Sequence, residues 1–77
     1  MVVWHVASLK KAMKYRQTGQ ILPPVRAWRD IRSAERFSKQ TGRRVILRLK
    51  FPASAMRLPG HRGEAVFINE GYRLDSF

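Results

Sequence analysis

The stretch Arg44–Phe51, with the sequence RVILRLKF, has the clearest pattern in this chain of 77 residues. Apolar residues alternate with mostly cationic ones, which is the period of a strand with one face in a core and the other in water. The core side holds Val45, Leu47, Leu49 and Phe51, and the other side holds Arg44, Ile46, Arg48 and Lys50. A strand with one solvated face is typical of antiparallel sheets. The stretch therefore predicts a small antiparallel or mixed sheet.

Four further segments predict strands around this one. Val2–Val6 is short, apolar and rich in β-branched residues, and Val25–Arg29 has the character of a short edge strand. Ala65–Ile68 is followed by a good turn sequence, Asn69-Glu70-Gly71, so Tyr72–Leu74 is expected to pair back onto it as a hairpin.

Two segments predict helices. Ser8 is a plausible N-cap for a helix over Leu9–Gln17, and Gly19 suits its end. In that helix we expect Leu9, Ala12 and Met13 to face the core and Lys10, Lys11 and Lys14 to face away.

The second helix is expected to begin after a cap at Asp30 or Ser33 and to end at Gly42. Its apolar positions form a narrow stripe of Ile31, Ala34 and Phe37. Residues 53–63 contain Pro59-Gly60 and Gly63 and predict a loop. The predicted fold is a single small basic α+β domain over residues 1–77, a mixed or antiparallel sheet with two helices in the order β-α-β-α-β-β-β.

Charge is the strongest functional signal. Sixteen Lys and Arg against five Asp and Glu give a net charge of +11. Such a field on a small domain favours a polyanionic partner, and we expect nucleic acid, either RNA or DNA. Trp28 or Tyr15 would add base stacking if exposed. The expected nucleic-acid-binding residues are Lys10, Lys11, Lys14, Arg43, Arg44, Arg48 and Lys50.

Composition also excludes several classes of function. The chain has no cysteine, which rules out disulfides, thiolate zinc sites and cysteine nucleophiles, and suits a reducing cytoplasm, where we expect the protein to lie. Two histidines and scattered acids do not predict a metal site. No apolar run approaches the roughly 20 residues of a membrane helix, so we expect no membrane span.

Three residues are candidates for catalysis. His5 lies in the middle of the first predicted strand, where it would orient a ligand, shuttle a proton, or simply be half-buried and bonded to backbone. His61 lies in the predicted loop, and a His5/His61 acid–base pair is chemically suited to RNA cleavage. Glu64 opens a strand directly after that loop and would stabilise a cationic transition state or pair with an arginine.

Segments in order along the chain resemble the ADP-ribosyltransferase-like fold. Trp4–Ser8 followed by a helix looks like the first motif of that family, and Ala27–Phe37 is similar to its second, a strand that runs into a helix. Arg43–Phe51 resembles the hydrophobic strand that follows. Gly63–Ile68, continued by Gly71-Tyr72-Arg73-Leu74, looks like the final segment, where a glutamate begins a strand.

The resemblance implies NAD as a cofactor, with His5 holding its ribose and Glu64 supporting an oxocarbenium-like transition state. The aromatic stacking residue of the second motif would fall on Ala27 or Trp28. The sequence thus predicts a small basic nucleic-acid-associated protein, with a reduced ADP-ribosyltransferase-like domain as one form of it. The alternatives are a metal-independent RNase of the toxin type and a non-catalytic nucleic-acid-binding module.

Overall fold

The computed structural model describes residues 1–55, 57–58 and 65–74. Two helices and seven strands lie in these residues, and the predicted α+β class is confirmed. Two strands of two residues each, β2 and β5, were not predicted, and β5 falls inside the predicted loop over residues 53–63. The elements are β1 (Val2–Ala7), α1 (Leu9–Thr18), β2 (Gln20–Ile21), β3 (Val25–Trp28), α2 (Ile31–Thr41), β4 (Val45–Lys50), β5 (Arg57–Leu58), β6 (Ala65–Ile68) and β7 (Tyr72–Arg73).

Five strands form one antiparallel sheet in the order β4-β1-β3-β6-β5. β4 and β1 pair along their whole length, from Val2–Lys50 to Ala7–Val45. The expectation that Val25–Arg29 is an edge strand is wrong, because β3 lies between β1 and β6. A central place in the sheet suits β3 because it has apolar side chains on both faces. Val25 and Ala27 are fully buried on one face, and Trp28 is buried on the other.

The predicted hairpin between Ala65–Ile68 and Tyr72–Leu74 is also wrong. β7 pairs instead with β2, in a separate two-stranded sheet with Ile21 opposite Tyr72. Gly71 permits this approach, because a Cβ at that position would lie only 3.3 Å from the carbonyl oxygen of Ile21. The Leu74 N–H then donates to the Gly19 carbonyl at 2.8 Å, so the chain after the turn is held by the β2 side of the molecule.

The five-stranded sheet has a core on each face. The face that packs against β2 and β7, here called the inner face, carries the larger core. The face that α2 covers, here called the helix face, carries a smaller core. The inner-face core contains Val3, Ile21, Val25, Ala27, Leu49, Phe51, Ala55 and Ile68. The helix-face core contains Val6, Trp28 and Ala34, with Trp4, Phe37 and Ile46 packed against it.

Both ends of α1 are as predicted. The Ser8 hydroxyl accepts from the Lys11 N–H at 3.1 Å, and Gly19 ends the helix with φ +74°. The predicted inward side is wrong for Leu9 and Met13, which are 65% and 56% exposed. Tyr15 sets the rotation of the helix, because its ring packs on the inner-face core and the half-buried Ala12 lies on the same side.

The sequence predicted the packing of α2 more accurately than that of α1. Asp30 is the cap, accepting from the Arg32 N–H at 3.3 Å, and Gly42 ends the helix with φ +73°. Ala34 and Phe37 pack on the sheet as expected, whereas Ile31 is 39% exposed. Because α2 lies on this face, the alternate side of β4 is only partly solvated. Among the described residues, neither helix has the length and apolar character that a membrane crossing requires.

Candidate nucleic-acid interface

The seven cations predicted to bind nucleic acid are all exposed, and they lie on β4, directly before it, or on α1. β4 is the margin strand, with β1 as its described neighbour, and Arg48 and Lys50 project from its helix-face side. Arg43 and Arg44 directly precede it. Lys10, Lys11 and Lys14 lie on α1.

The strand register joins these two groups of cations. Ala7, the last residue of β1, pairs with Val45, the first residue of β4. Arg44 therefore lies beside Ser8, where α1 begins. Arg43 and Lys11 each lower the pKa of the same buried imidazole, that of His5. We call these seven cations together the basic edge; it consists of Lys10, Lys11, Lys14, Arg43, Arg44, Arg48 and Lys50.

Two hydrogen bonds fix the position of Arg43 at the start of the basic edge. The Ser38 hydroxyl, near the end of α2, donates to the Arg43 carbonyl. The Arg43 N–H donates to the Thr41 hydroxyl oxygen at 3.4 Å. The backbone that carries this guanidinium is thereby tied to the last turn of α2.

The first turn of α1 adds to the positive potential. A helix N-terminus favours acidic side chains, because its free N–H groups carry partial positive charge. The first turn of α1 holds no acid and instead includes Lys10 and Lys11. The lysines and the helix terminus therefore repel one another, and a bound anion would relieve this repulsion.

The backbone of β4 has N–H groups on the side away from β1. The Phe51 N–H donates to the Met1 carbonyl at 2.9 Å, so odd-numbered residues of this strand direct their N–H groups at β1. Even-numbered residues direct theirs away from the sheet. The Lys50 N–H meets the Tyr72 hydroxyl at 3.4 Å, which covers one end of this margin.

His5 is buried on the inner face and both of its ring nitrogens have partners. Its Nδ1 lies 2.6 Å from the Arg26 carbonyl oxygen, and its Nε2 lies 3.1 Å from the Tyr15 hydroxyl. A carbonyl oxygen only accepts, so Nδ1 carries the proton and donates, and Nε2 accepts from the tyrosine. The register of β1 and β3 places Trp4 opposite Trp28, which brings the Arg26 carbonyl close to the His5 ring.

Burial favours the neutral form of this imidazole. Burial lowers the pKa of His5 below its ordinary 6.5, and the charges of Arg43 and Lys11 lower it further, against the raising effect of the hydrogen bond to Arg26. Burial also raises the pKa of the Tyr15 hydroxyl, so that group keeps its proton to donate. The pair is a neutral histidine and a neutral tyrosine that join β1 to α1.

Of the three candidate catalytic residues, only His5 lies among the described residues. His5 is held by backbone and by Tyr15, next to Lys11 and Arg43 of the basic edge. His61 and Glu64 lie outside the described residues. The structure brings His5 together with Tyr15, a residue that the sequence had suggested only for base stacking.

The aromatic residues expected to stack on bases are not free to do so. Trp28 is only 6% exposed, and its ring packs on Phe37 with centroids 4.5 Å apart. Tyr15 is half-buried and its hydroxyl is bound to His5.

A different aromatic cluster, on the helix face, was missed from the sequence. The guanidinium carbon of Arg26 lies 4.7 Å from the ring centroid of Phe37, 5.1 Å from that of Trp28 and 5.9 Å from that of Phe67. Arg43 lies 5.7 Å from the Phe37 ring. The alternation of β3 places Arg26 and Trp28 on one face, but the two phenylalanines come from α2 and β6, whose approach no local pattern specifies.

No known protein family, no curated protein and no solved structure matches this chain.

Proposed function

We propose that this protein is a small basic nucleic-acid-binding protein that holds the phosphate backbone along the basic edge. The supporting observation is that Arg44, at the start of β4, lies beside Ser8, where α1 begins, so exposed cations from two elements distant in sequence come together at this end of the sheet. Each phosphate that they neutralise releases condensed counterions, so several such contacts give affinity without sequence specificity. RNA and DNA both offer this backbone.

Salt dependence tests the proposal. The affinity of the protein for a duplex DNA and for an RNA oligonucleotide is measured by fluorescence anisotropy over a range of salt concentrations. For duplex DNA we expect the logarithm of the affinity to fall linearly with the logarithm of salt, with a slope near −0.9 per phosphate contact. Binding that salt does not weaken would contradict the proposal.

A matched pair of variants separates an organised surface from bulk charge. Lys14→Gln with Arg48→Gln removes two charges from the basic edge, whereas Arg32→Gln with Arg36→Gln removes two from the exposed side of α2. The first pair should reduce the salt slope by about one for each phosphate that the protein no longer neutralises. The second pair should leave it nearly unchanged. Equal effects of the two pairs would show that net charge alone attracts the polyanion.

A catalytic protein is the second candidate, and the neutral His5 beside Lys11 and Arg43 favours it. Groups whose pKa is shifted by burial and by neighbouring charges are more frequent at functional sites. In the transferase form, suggested by the family resemblance, His5 holds the ribose of NAD and Glu64 supports the transition state. Glu64→Gln should then abolish NAD turnover while the far-ultraviolet circular dichroism stays that of the wild type. Turnover that survives this substitution would remove Glu64 from the mechanism.

In the RNase form, His5 and His61 act as the acid–base pair without metal. It predicts cleavage of a total RNA mixture in the absence of NAD and in the presence of a chelator. His61→Ala should remove this cleavage. Intact RNA at a protein concentration that saturates binding would leave the non-catalytic module as the proposed function.

A further inference from the structure

Arg26 is the most unusual side chain on the helix face of the sheet. It is exposed, yet its guanidinium carbon lies within 6 Å of three aromatic ring centroids, those of Trp28, Phe37 and Phe67. Each ring comes from a different element: β3, α2 and β6. The nucleic-acid-binding role proposed above does not by itself use this cluster.

The rings hold the guanidinium in place. A cation within about 6 Å of an aromatic centroid is attracted by the ring quadrupole, by about 0.5–1 kcal/mol at an exposed site. Three such contacts restrict a side chain that is otherwise free to rotate. An arginine whose plane is already positioned loses less entropy when a second flat group is placed on it.

The cluster is continuous with the basic edge. The Phe37 ring has the Arg26 guanidinium at 4.7 Å and the Arg43 guanidinium at 5.7 Å. Arg43 belongs to the basic edge and is tied to the end of α2. A strand whose phosphates follow the basic edge would therefore have its bases within reach of the helix face. We call Arg26, Phe37, Phe67 and Arg43 the arginine–aromatic patch.

We infer that the arginine–aromatic patch takes an unpaired nucleobase, stacked on the plane of Arg26, and that the protein therefore prefers single-stranded nucleic acid to duplex. This inference rests on the proposed nucleic-acid binding. Guanidinium planes and aromatic rings stack on the faces of bases, and every base has such a face. In a duplex those faces are covered by neighbouring base pairs, so only an unpaired base can use the patch. The half-buried Phe37 and Phe67 widen the platform.

The test compares a 12-nucleotide oligo(dT) with a hairpin duplex of the same number of phosphates, both at fixed salt. The wild type should bind the oligo(dT) more tightly. Arg26→Ala should weaken oligo(dT) binding by about 5- to 100-fold, the range expected when one stacked base is no longer held. Duplex binding should change by much less. Arg36→Ala, which removes an exposed arginine from α2, should leave the ratio of the two affinities unchanged.

A conservative variant distinguishes loss of base stacking from loss of the fold. Arg26→Lys keeps the charge but removes the plane, so it should retain duplex affinity and lose most of the preference for oligo(dT). Thermal melting of each variant shows whether the fold persists. A ratio unchanged in both Arg26→Ala and Arg26→Lys would show that the cluster only stabilises the fold, and would overturn the inference.

Failure of this inference can be told from failure of the proposed function. If the wild type binds oligo(dT) and the hairpin equally, with the salt slope that the basic edge predicts, only the patch is disproved. If it binds neither, the nucleic-acid-binding function itself is disproved.

Discussion

The two helices begin and end in the same way but contribute very differently to the fold. α1 has Ser8 as its N-cap and α2 has Asp30, and each ends at a glycine in the left-handed region. Yet α2 buries Ser33 and Ala34 against the sheet, whereas no residue of α1 is fully buried. Helix ends are thus decided by local hydrogen bonding, while the depth of packing depends on what the sheet offers beneath each helix.

The sheet explains this difference. Beneath α2 lie Val6 and Trp28, large apolar side chains that Ala34 and Phe37 contact directly. α1 meets the inner face mainly through one long residue, Tyr15, which reaches His5. Apart from Tyr15 and the half-buried Ala12, its residues are exposed, including four cations: Lys10, Lys11, Lys14 and Arg16. The weakly packed helix is the one that carries nearly half of the basic edge.

Removal of Trp28 should have the largest effect on stability. The side chain is 6% exposed and packs on Phe37 and beneath Arg26, so Trp28→Ala leaves a cavity that few neighbours can fill. We expect a loss of about 3–5 kcal/mol in the free energy of unfolding, measured by urea denaturation. Leu9→Ala, at the exposed start of α1, is the control. A similar loss in both variants would mean that α1 is packed as tightly as α2.

The two terminating glycines should behave alike, although their helices do not. Gly19 and Gly42 have φ of +74° and +73°, and a Cβ built at either meets no atom within 4 Å. Gly19→Ala and Gly42→Ala therefore introduce backbone strain without a clash, at a cost of about 1–2 kcal/mol each. Urea denaturation of the two variants, side by side, measures it. A much smaller cost at Gly19 would indicate that the end of α1 is already frayed in the native state.

The hydroxyl that anchors α1 should contribute about as much as one buried hydrogen bond. Tyr15→Phe keeps the ring but leaves Nε2 of His5 without its donor. We expect a loss of about 1 kcal/mol at neutral pH, from equilibrium denaturation. Tyr72→Phe, which removes a longer bond at 3.4 Å to the edge of β4, should cost less. A larger loss in Tyr72→Phe than in Tyr15→Phe would show that the Tyr15 hydrogen bond contributes less than the Tyr72 bond.

Acid should weaken the α1 side of the molecule through His5. The folded protein has a lower His5 pKa than the unfolded chain, whose value is the ordinary 6.5. The unfolded chain therefore takes up the proton first, and stability that is complete above pH 6.5 is lost as the pH falls through the lower folded-state pKa. Denaturation midpoints at pH 7.5, 6.5 and 5.5 should fall in the wild type. In His5→Gln this decline should largely disappear, and a parallel decline would assign it to other groups.

Substitution of the exposed methionine should have the smallest effect. Met13 is 56% exposed on the outer side of α1, so Met13→Gln changes little that folding buries. We expect a change within about 0.5 kcal/mol, measured by thermal melting. A clear loss would show that this side of α1 is covered in the folded protein.

Local signals in the sequence were reliable where one element decides the outcome. The caps at Ser8 and Asp30, the glycine stops and the alternation of β4 all depend on residues within one turn or one strand. Partners of strands were not predictable in the same way. β7 does not pair with β6, its predicted partner, because Gly71 lets it approach Ile21, a residue far earlier in the chain.

The same distinction applies to the candidate site: its individual cations were predictable, whereas contacts between its elements were not. The cations of the basic edge were named from the sequence, because charge remains exposed wherever the fold places it. The position of Arg44 beside the start of α1 was not predictable, since it depends on the pairing of Ala7 with Val45. The bond between His5 and Tyr15 and the position of Arg26 among three rings depend on contacts between separate elements, for which no spacing rule exists.

The outward-facing backbone of β4 has a consequence for the protein at high concentration. A bare strand margin is a template on which a second molecule can add its own strand and begin an aggregate. If two copies paired there, the row Arg44, Arg48 and Lys50 of each would face like charges across the new ladder, which is unfavourable. The cations proposed to hold phosphate should thus also oppose pairing of two copies at this strand edge, and a polyanion that neutralised them would remove that opposition.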